Sequence, residues 1–164
     1  MILLSKEQPY QQLTNSYIDD RGFFTVLDEG EKGLGLFNID SDESIMFKRS
    51  YIVRNFQRNV VRGWHRHQIE KKMFVPILGE FKIIALGTRE KEGFYVVDKQ
   101  YTFIISDKKP SIVVVPENFW MGNMSLSNDA ILLAFSTSTT KNSLADDIRL
   151  PANHFGDLWT VKSR

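Results

Sequence analysis

Two of the three histidines in the chain, His65 and His67, stand two residues apart in the segment 60–68. Side chains alternate across a β-strand, so in a strand this spacing directs both imidazoles to one face. A neutral imidazole ionises near neutral pH, and the pair therefore offers either a metal site or a general base, with Arg62 as a nearby cation. Two solvated histidines on an exposed strand face are the alternative.

The segments around these histidines are typical of short strands. Runs rich in β-branched and aromatic residues alternate with polar turn clusters, and no 3.6-residue period persists from the middle of the chain onward. The predicted strands are Phe47–Val53, Met73–Leu78, Phe81–Leu86, Phe94–Val97, Gln100–Ile105, Ile112–Val115 and Ile131–Phe135. Closely spaced strands in this number predict an all-β fold, as a sandwich, jelly roll or barrel.

Turn signals predict how these strands connect. The two apolar runs on either side of residues 79–80, Gly-Glu, predict a β-hairpin, and the polar segment 87–93 predicts a turn. Alternation is lost over residues 141–164. That segment is predicted to be a short helical or irregular tail that packs back through Phe155 and Trp159.

The size and charge of the chain narrow the class of protein. Its 164 residues match one domain, and we expect a single domain over residues 1–164. Lys plus Arg is 21 and Asp plus Glu is 20, and this balance argues against a dedicated nucleic-acid or membrane-surface binder. The absence of cysteine excludes disulfides, thiolate metal sites and cysteine nucleophiles. No apolar run reaches the length of a signal-peptide core or a membrane span, and we expect a cytoplasmic protein.

The histidine motif is similar to that of a known family. The segment Arg62–His67, which reads Arg-Gly-Trp-His-Arg-His, together with Lys72–Gly79 resembles the centre of a cupin jelly roll. The resemblance is to the nucleotide-sugar branch, which contains 4-keto-6-deoxy-sugar 3,5-epimerases and sugar 3,4-ketoisomerases. Segments 19–24, 116–122 and 147–155 resemble further motifs of this branch. The resemblance covers roughly residues 17–160 and implies a cupin jelly roll that forms a homodimer.

The residues leave the choice between the two kinds of enzyme open. The doubled histidine and the preceding segment Phe47–Tyr51 favour the ketoisomerases, whose motif reads Arg-Gly-x-His-Ala-His-Lys. The longer segment Gly87–Gln100, with Arg89, is more similar to the epimerases. Epimerases also carry a tyrosine acid late in the chain, near what is here Leu133–Phe135. No tyrosine follows Tyr101, which argues against double epimerisation at C3 and C5.

The same resemblance argues against a metal centre. Cupin metal sites draw ligands from the His-x-His pair, a following glutamate and a late histidine. This chain has His65, His67 and Glu70, but Met121 stands at the position of the late histidine, and Glu70 follows His67 too closely. A thioether is a poor ligand for the metals that imidazole and carboxylate select. We therefore expect no metal and no cofactor, and a metal-dependent dioxygenase is the disfavoured alternative.

The resemblance implies chemistry on a 4-keto sugar, whose hydrogens beside the carbonyl are acidic. Enolisation needs a base close to the C–H bond and donors aimed at the developing oxyanion. We expect His65 to be the base, Lys72 and Arg62 to place positive charge beside the enolate oxygen, and His67 to relay a proton. The aspartates at 146–147 either orient a histidine or cap a helix.

Substrate recognition is expected to depend on the nucleotide diphosphate. Arg21 and Arg49 are candidates, because guanidinium groups match phosphate oxygens in pairs. Tyr51 is a candidate hydrogen-bond donor in the pocket. Trp120 is a candidate stacking surface for a base or sugar, with burial in the core as the alternative. The remaining histidine, His154, is expected at the surface.

The first hypothesis is metal-free isomerisation of a nucleotide-activated 4-keto-6-deoxy sugar, such as dTDP-4-keto-6-deoxyglucose, in surface-polysaccharide biosynthesis. The reaction is enolisation, by a 3,4-ketoisomerase or a single-centre epimerase. A 3,5-epimerase of the dTDP-4-dehydrorhamnose type and a non-catalytic cupin that binds a sugar nucleotide are the alternatives. The expected partners are a nucleotide-diphosphate sugar and a second copy of the chain, with no nucleic acid and no membrane.

Overall fold

Strands are the main secondary structure of the described part of the chain. The computed structural model of the protein describes residues 7–19, 22–26, 35–37 and 44–161. Its strands are β1 Tyr10–Leu13, β2 Asn15–Asp19, β3 Gly22–Val26, β4 Gly35–Phe37, β5 Ser44–Met46, β6 Arg49–Asn55, β7 Val61–Arg66, β8 Lys72–Leu78, β9 Glu80–Lys91, β10 Phe94–Ser106, β11 Ser111–Val115, β12 Trp120–Ser125, β13 Ala130–Ser136 and β14 Ile148–Arg149. One short helix, α1 Thr140–Asp146, lies between β13 and β14.

These strands form two five-stranded antiparallel sheets. The first sheet has the order β1-β11-β8-β13-β6, and the second has the order β10-β9-β12-β7-β14. Two smaller antiparallel pairs, β2 with β3 and β4 with β5, stand apart from them. The prediction of an all-β jelly roll with a short helical or irregular tail is confirmed.

The predicted hairpin at residues 79–80 is wrong. β8 pairs with β11 and β13, whereas β9 pairs with β10 and β12, so Gly79 carries the chain from one sheet to the other. Gly79 has a φ of +75°, and a Cβ there would lie 2.2 Å from the Ser127 Oγ. Glycine tolerates the positive φ and leaves the space that this corner requires. A corner between two sheets and a hairpin use the same turn residues, so local sequence signals do not distinguish them.

The turn predicted over residues 87–93 is also corrected. β9 continues to Lys91, and the reversal occurs at Glu92 and Gly93, whose φ angles are 53° and 80°. Two positive φ angles are the requirement of the tight turn that joins twisted antiparallel strands. β9 and β10 therefore form a long hairpin in which two of the predicted strands, 94–97 and 100–105, are one.

The main core lies between the two sheets. Alternate residues of β8 and β13 in the first sheet, such as Phe74 and Leu132, pack against alternate residues of β9 in the second, such as Phe81 and Ile83. Alternation of this kind directs every second side chain of a strand inward. It also directs Lys72, two residues before Phe74, to the interior side of the first sheet.

The tail covers the outer face of the second sheet. Trp64 and Trp120 are fully buried there, and Trp159 packs on Trp64 with ring centroids 4.7 Å apart. Phe155 meets the Trp64 ring edge-on, and the indole nitrogens of Trp64 and Trp159 both donate to the Ala152 carbonyl. The prediction that Phe155 and Trp159 pack the tail back onto the body is confirmed.

Replacing Trp159 by Ala is expected to lower the free energy of unfolding by about 3–5 kcal/mol, the usual cost of deleting a large buried aromatic side chain. Urea denaturation followed by circular dichroism measures the change. Phe94→Ala is the matched control, because Phe94 is 72% exposed and its loss is expected to cost within about 0.5 kcal/mol. Equal losses in the two variants would contradict the packing role of Trp159.

No helix among the described residues has the length and apolar character needed to cross a membrane.

Candidate active site

A cavity of about 620 Å³ opens between the two sheets at the end where polar side chains replace the apolar core. Its volume is within the range of small-molecule sites in proteins. The lining residues come from both sheets and from α1, and they are Arg49, Tyr51, Val53, Arg62, His65, His67, Lys72, Phe74, Met121, Gly122, Asn123, Thr140, Ser143, Leu144, Asp147 and Arg149. The cavity therefore contains most of the side chains that the sequence singled out.

The prediction that His65 and His67 share a face is confirmed, because both line the cavity. Trp64, between them in sequence, points to the opposite side and is buried beneath the tail. Period-two alternation produces this arrangement, since β7 ends at Arg66 and the chain stays extended into His67.

A β-bulge brings Arg62 to the same cavity. Strict alternation places Arg62 and His65, three residues apart, on opposite faces of a strand. In β7 the register against β12 shifts by one residue, with His65 beside Met121 and Gly63 beside Gly122. The extra residue restores Arg62 to the cavity side. Glycine is needed here because a Cβ on Gly63 would lie 2.9 Å from the Gly122 Cα.

His65 is held by a carboxylate. Its Nδ1 lies 3.2 Å from the Asp147 Oδ1, and Asp147 also accepts from the Arg149 Nε at 2.7 Å. β14 pairs with β7, with Arg149 opposite His65, and this pairing brings Asp147 to the imidazole. A hydrogen on Nδ1 faces the carboxylate, which leaves the Nε2 lone pair as a base. Asp147 therefore orients a histidine, which is one of the two roles left open from the sequence, whereas the side chain that caps the N-terminus of α1 is that of Thr139.

The electrostatics keep His65 unprotonated near neutral pH. Burial lowers the pKa of His65 below its ordinary value, and the Asp147 carboxylate offsets only part of that shift. A base must be unprotonated to accept a proton, so the direction of the shift suits general-base chemistry.

Lys72 and His67 form a buried pair beside His65, and the Asp147 Oδ1 that holds His65 lies 3.8 Å from the His67 Nε2. The Lys72 Nζ lies 2.8 Å from the His67 Nε2, and both side chains are almost completely buried. Burial lowers the pKa of Lys72, and it lowers the pKa of His67 with help from the Lys72 charge. A short N···N contact requires that one partner donate and the other accept, so one proton lies between them.

Glu70 joins this pair to the first sheet. Its carboxylate is fully buried and accepts from the Arg49 Nη2 at 2.9 Å and the Ser136 Oγ at 2.7 Å. Its Oε2 lies 3.3 Å from the His67 Nδ1, and its Oε1 lies 3.5 Å from the Lys72 Nζ. Burial opposes ionisation of Glu70, but the Lys72 charge, together with hydrogen bonds from Ser143 and Ser136, outweighs burial and holds the pKa of Glu70 below its usual value.

Arg49 and Tyr51 line the same wall. The Arg49 guanidinium lies 5.1 Å above the Tyr51 ring, and its pairing with Glu70 neutralises its charge. Burial, together with the nearby Glu70 charge, raises the pKa of Tyr51 to about 12, so the phenol keeps its proton. Tyr51 stands opposite Ala134 on the neighbouring strand β13, inside the segment where the epimerases carry their late tyrosine.

Arg62 differs from Arg49 in its partners. Its Nε donates to the Asn55 Oδ1 at 2.8 Å and its Nη2 lies 3.4 Å from the Arg54 carbonyl, both uncharged groups. Among the residues that the structure describes, no carboxylate lies within 4.0 Å of it. An exposed guanidinium with an uncompensated charge at the cavity is suited to bind an anion.

The expectation for Trp120 is corrected. Its side chain is fully buried under the tail, with the Tyr95 ring 5.0 Å away, and it does not reach the cavity. Neighbouring residues of a strand face opposite sides, so Met121 lines the cavity instead. Arg21, the remaining substrate-binding candidate, lies outside the described residues. His154 is exposed, as expected.

Glu70 is the residue whose place in the site the sequence did not indicate. It was weighed only as a metal ligand, whereas its oxygens face Arg49, Ser136, His67 and Lys72. The sequence feature that points to Glu70 is its position, three residues after His67 and two before Lys72. This spacing alone does not show that Glu70 is buried in the connection between β7 and β8. Among the described ranges, no group of three or more His, Asp and Glu side chains has the arrangement of a metal site.

Comparison with known proteins gives one family match. A family model described as "FdtA: WxcM-like, C-terminal" matches residues 16–150. No curated protein sequence matches the chain.

Solved structures with the same fold include two epimerases and a ketoisomerase. A 3'-monoepimerase from Streptomyces bikiniensis, in complex with dTDP-quinovose, is 18% identical, with a TM-score of 0.72 over 93% of this chain and 74% of that one. A dTDP-4-dehydrorhamnose 3,5-epimerase from Bacillus anthracis is 19% identical, with a TM-score of 0.73 over 94% and 86%. A 3,4-ketoisomerase from Helicobacter canadensis is 16% identical, with a TM-score of 0.64 over 87% and 90%.

Proposed function

Because the chain belongs to the family described as FdtA, WxcM-like, C-terminal, we propose that it is a metal-free 3,4-ketoisomerase of a nucleotide-activated 4-keto-6-deoxy sugar. The observation that carries the proposal is the cavity itself, in which a carboxylate-held histidine base lies beside a buried lysine–histidine pair. The similar structures of a monoepimerase and a ketoisomerase support the same class of reaction.

The first step is enolisation. The His65 Nε2 takes the hydrogen on C3 as a proton, the C3–H electrons form the C3–C4 double bond, and the C4 oxygen becomes an enolate oxygen. Lys72 places its positive charge beside that oxygen in a cavity from which much water is excluded, where a charge interaction is strong. Asp147 stabilises the imidazolium that forms on His65.

The second step moves the carbonyl. The enolate oxygen on C4 takes a proton from Lys72, and the hydroxyl on C3 gives its proton to the Lys72–His67 pair. The C3 oxygen then forms the new carbonyl. The electrons of the C3–C4 double bond take the proton of the His65 imidazolium, which becomes the hydrogen on C4. His65 and Lys72 each give one proton and regain one, so the enzyme returns to its starting state.

The need for proton transfer between two oxygens favours the ketoisomerase. An epimerase reprotonates the carbon from which the proton came and needs no exchange between O3 and O4. The Lys72–His67 contact of 2.8 Å provides a group that both donates and accepts, as exchange between two oxygens requires.

A C3 epimerase is the second candidate, and Tyr51 is the observation that favours it. Inversion needs an acid on the face of the sugar opposite the base. Tyr51 lies on the first sheet and His65 on the second, and the raised pKa of Tyr51 keeps the phenol protonated. A tyrosine on β6 in this way takes the place of the late tyrosine that the sequence lacks.

The proposal gives the diphosphate to Arg62, because the charge of Arg49 is already paired with Glu70. In this proposal Arg62 binds the substrate and is not the catalytic cation expected from the sequence. Arg49 does not bind the diphosphate but supports the wall of the cavity. Arg21 remains a predicted second diphosphate contact. The proposal also includes the homodimer that the family resemblance implies, a role in surface-polysaccharide biosynthesis, and the cytoplasmic location expected from the sequence.

Incubation of the protein with dTDP-4-keto-6-deoxyglucose in D₂O, followed by proton NMR, tests the proposal. We expect loss of the C3 proton signal and a product whose carbonyl has moved to C3. A C3-inverted product with its carbonyl still at C4 indicates the epimerase, and exchange at both C3 and C5 indicates a 3,5-epimerase. Absence of exchange with any common nucleotide would leave a binding protein, and stoichiometric metal in elemental analysis would contradict the metal-free reaction.

A further inference from the structure

The Glu70 carboxylate is a fully buried charge that the proposed reaction does not consume. It lies in the connection between β7 and β8, away from His65, and its two oxygens have separate neighbours. Oε1 accepts from Arg49 and Ser136, at 2.9 and 2.7 Å, whereas Oε2 has the His67 Nδ1 at 3.3 Å. The two atoms face each other as an ion pair, without the alignment of a hydrogen bond, and neither has a hydrogen-bond partner among the described residues.

This arrangement fixes where the hydrogen on His67 lies. The charged atoms nearest to Nδ1 are carboxylate oxygens, Glu70 Oε2 at 3.3 Å and Asp146 Oδ2 at 3.8 Å, and oxygens of this kind only accept. Nε2 has the Lys72 Nζ at 2.8 Å and, farther away, the Asp147 Oδ1 at 3.8 Å. The ammonium is the nearer partner and only donates, so the lone pair is assigned to Nε2 and the hydrogen to Nδ1. Lys72 then donates to His67 as an ammonium.

We propose that Glu70 is a positioning residue that holds His67 in the Nδ1–H tautomer and thereby keeps Lys72 a cation in contact with the cavity. Two of the three ammonium hydrogens point to His67 and Glu70, at 2.8 and 3.5 Å, and the third remains for the substrate oxygen. The part of this inference that concerns reaction rate rests on the proposed function, and the tautomer does not.

Among the charges around Lys72, that of Glu70 contributes most to keeping the lysine protonated. Asp147 and Glu70 favour the ammonium, whereas burial and Arg49 disfavour it, and the neutral ring of His67 accepts from it. Both carboxylates have other partners, Arg49 for Glu70 and His65 with Arg149 for Asp147, but Glu70 is fully buried and has the larger effect on Lys72. Glu70 is therefore the main counter-charge of the lysine.

Glu70→Gln tests the tautomer. Arg49 and Ser136 both donate toward the Oε1 position, so the amide oxygen takes that place and the amide NH₂ faces the His67 Nδ1. A donor there forces His67 into the Nε2–H tautomer, which no longer accepts from Lys72. We expect ¹⁵N NMR of the His67 ring to show Nδ1–H in the wild-type protein and Nε2–H in Glu70→Gln. The chain has only three histidines, so His65→Asn and His154→Asn assign the signals.

The same variant has a kinetic signature. Loss of the Glu70 charge lowers the pKa of Lys72 further, and the ammonium is then lost at a lower pH. We expect the alkaline limb of the kcat profile to move down by about one pH unit or more in Glu70→Gln, from the interaction of two charges this close. Ser136→Ala is the control, because it removes a hydrogen bond to Glu70 but keeps the charge, and we expect its alkaline limb and its His67 tautomer to match wild type.

The outcomes separate the inference from the proposed function. A wild-type His67 found as Nε2–H, or an unchanged tautomer in Glu70→Gln, overturns the inference whether or not the protein is active. A protein without isomerase activity overturns the proposed function and leaves the NMR result to decide the inference. Equal shifts of the alkaline limb in Glu70→Gln and Ser136→Ala would assign Glu70 a merely structural role.

Discussion

Replacing His65 by Asn is expected to lower kcat by about 10³-fold, within the range that a positioned general base contributes. Within the part of the chain that the structure describes, His65 is the cavity histidine whose Nε2 has no protein partner, since its Nδ1 faces Asp147, whereas the Nε2 of His67 contacts Lys72. Asn retains a polar group of similar reach but cannot accept a proton near neutral pH. Exchange of the C3 hydrogen with D₂O is expected to fall in parallel with turnover.

His154→Asn is the matched control for this prediction. His154 is exposed in the tail and outside the cavity, so its loss is expected to leave kcat and C3 exchange unchanged. Retention of C3 exchange by His65→Asn would show that another group removes the proton, and Tyr51 would then be the next to test.

Replacing Lys72 by Met is expected to lower kcat by about 10²–10³-fold, the usual cost of removing one donor from a developing oxyanion. Met keeps the length of the buried stem and removes the charge, while Glu70 retains its bonds to Arg49 and Ser136. The effect is expected in kcat more than in KM, because the enolate charge exists only after the substrate has bound. Steady-state kinetics of the purified variant measures the changes in kcat and in KM separately.

Lys71→Met controls for the loss of a positive charge at the neighbouring position. Lys71 forms an ion pair with Glu117 at 3.4 Å and does not line the cavity, so its kcat is expected to equal that of the wild type. Full kcat in Lys72→Met would exclude the lysine as the group that stabilises the enolate.

The sequence predicted the fold class and the histidine pair because both depend on local periodicity. A two-residue spacing fixes a shared face wherever the backbone is extended, and His65 and His67 follow it. Turn residues also marked most strand ends. They did not reveal that β8 and β9 belong to different sheets, because a corner at Gly79 and a hairpin need the same residue types.

The parts of the site that the sequence missed depend on contacts between distant segments. Trp120 and Met121 are adjacent, and only the pairing of β12 with β7 and β9 decides which of them faces the cavity. The burial of Glu70 depends on Arg49 and Ser136, which are 21 and 66 residues away. Arg62 reaches the cavity through a bulge whose register is set by the neighbouring strand.

His65 and Asp147 are 82 positions apart in the chain. Their contact depends on the pairing of β7 with β14, the strand that directly follows Asp147. A nascent chain that has been synthesised only as far as β13 contains the base, His65, but lacks Asp147, the carboxylate that orients it. Proteolytic removal of the chain beyond α1 separates the two in the same way. It leaves the second sheet without β14 and without its outer cover, whereas the first sheet keeps all five strands. Enzymatic activity is therefore a sensitive indicator that synthesis has passed this segment and that the segment has docked.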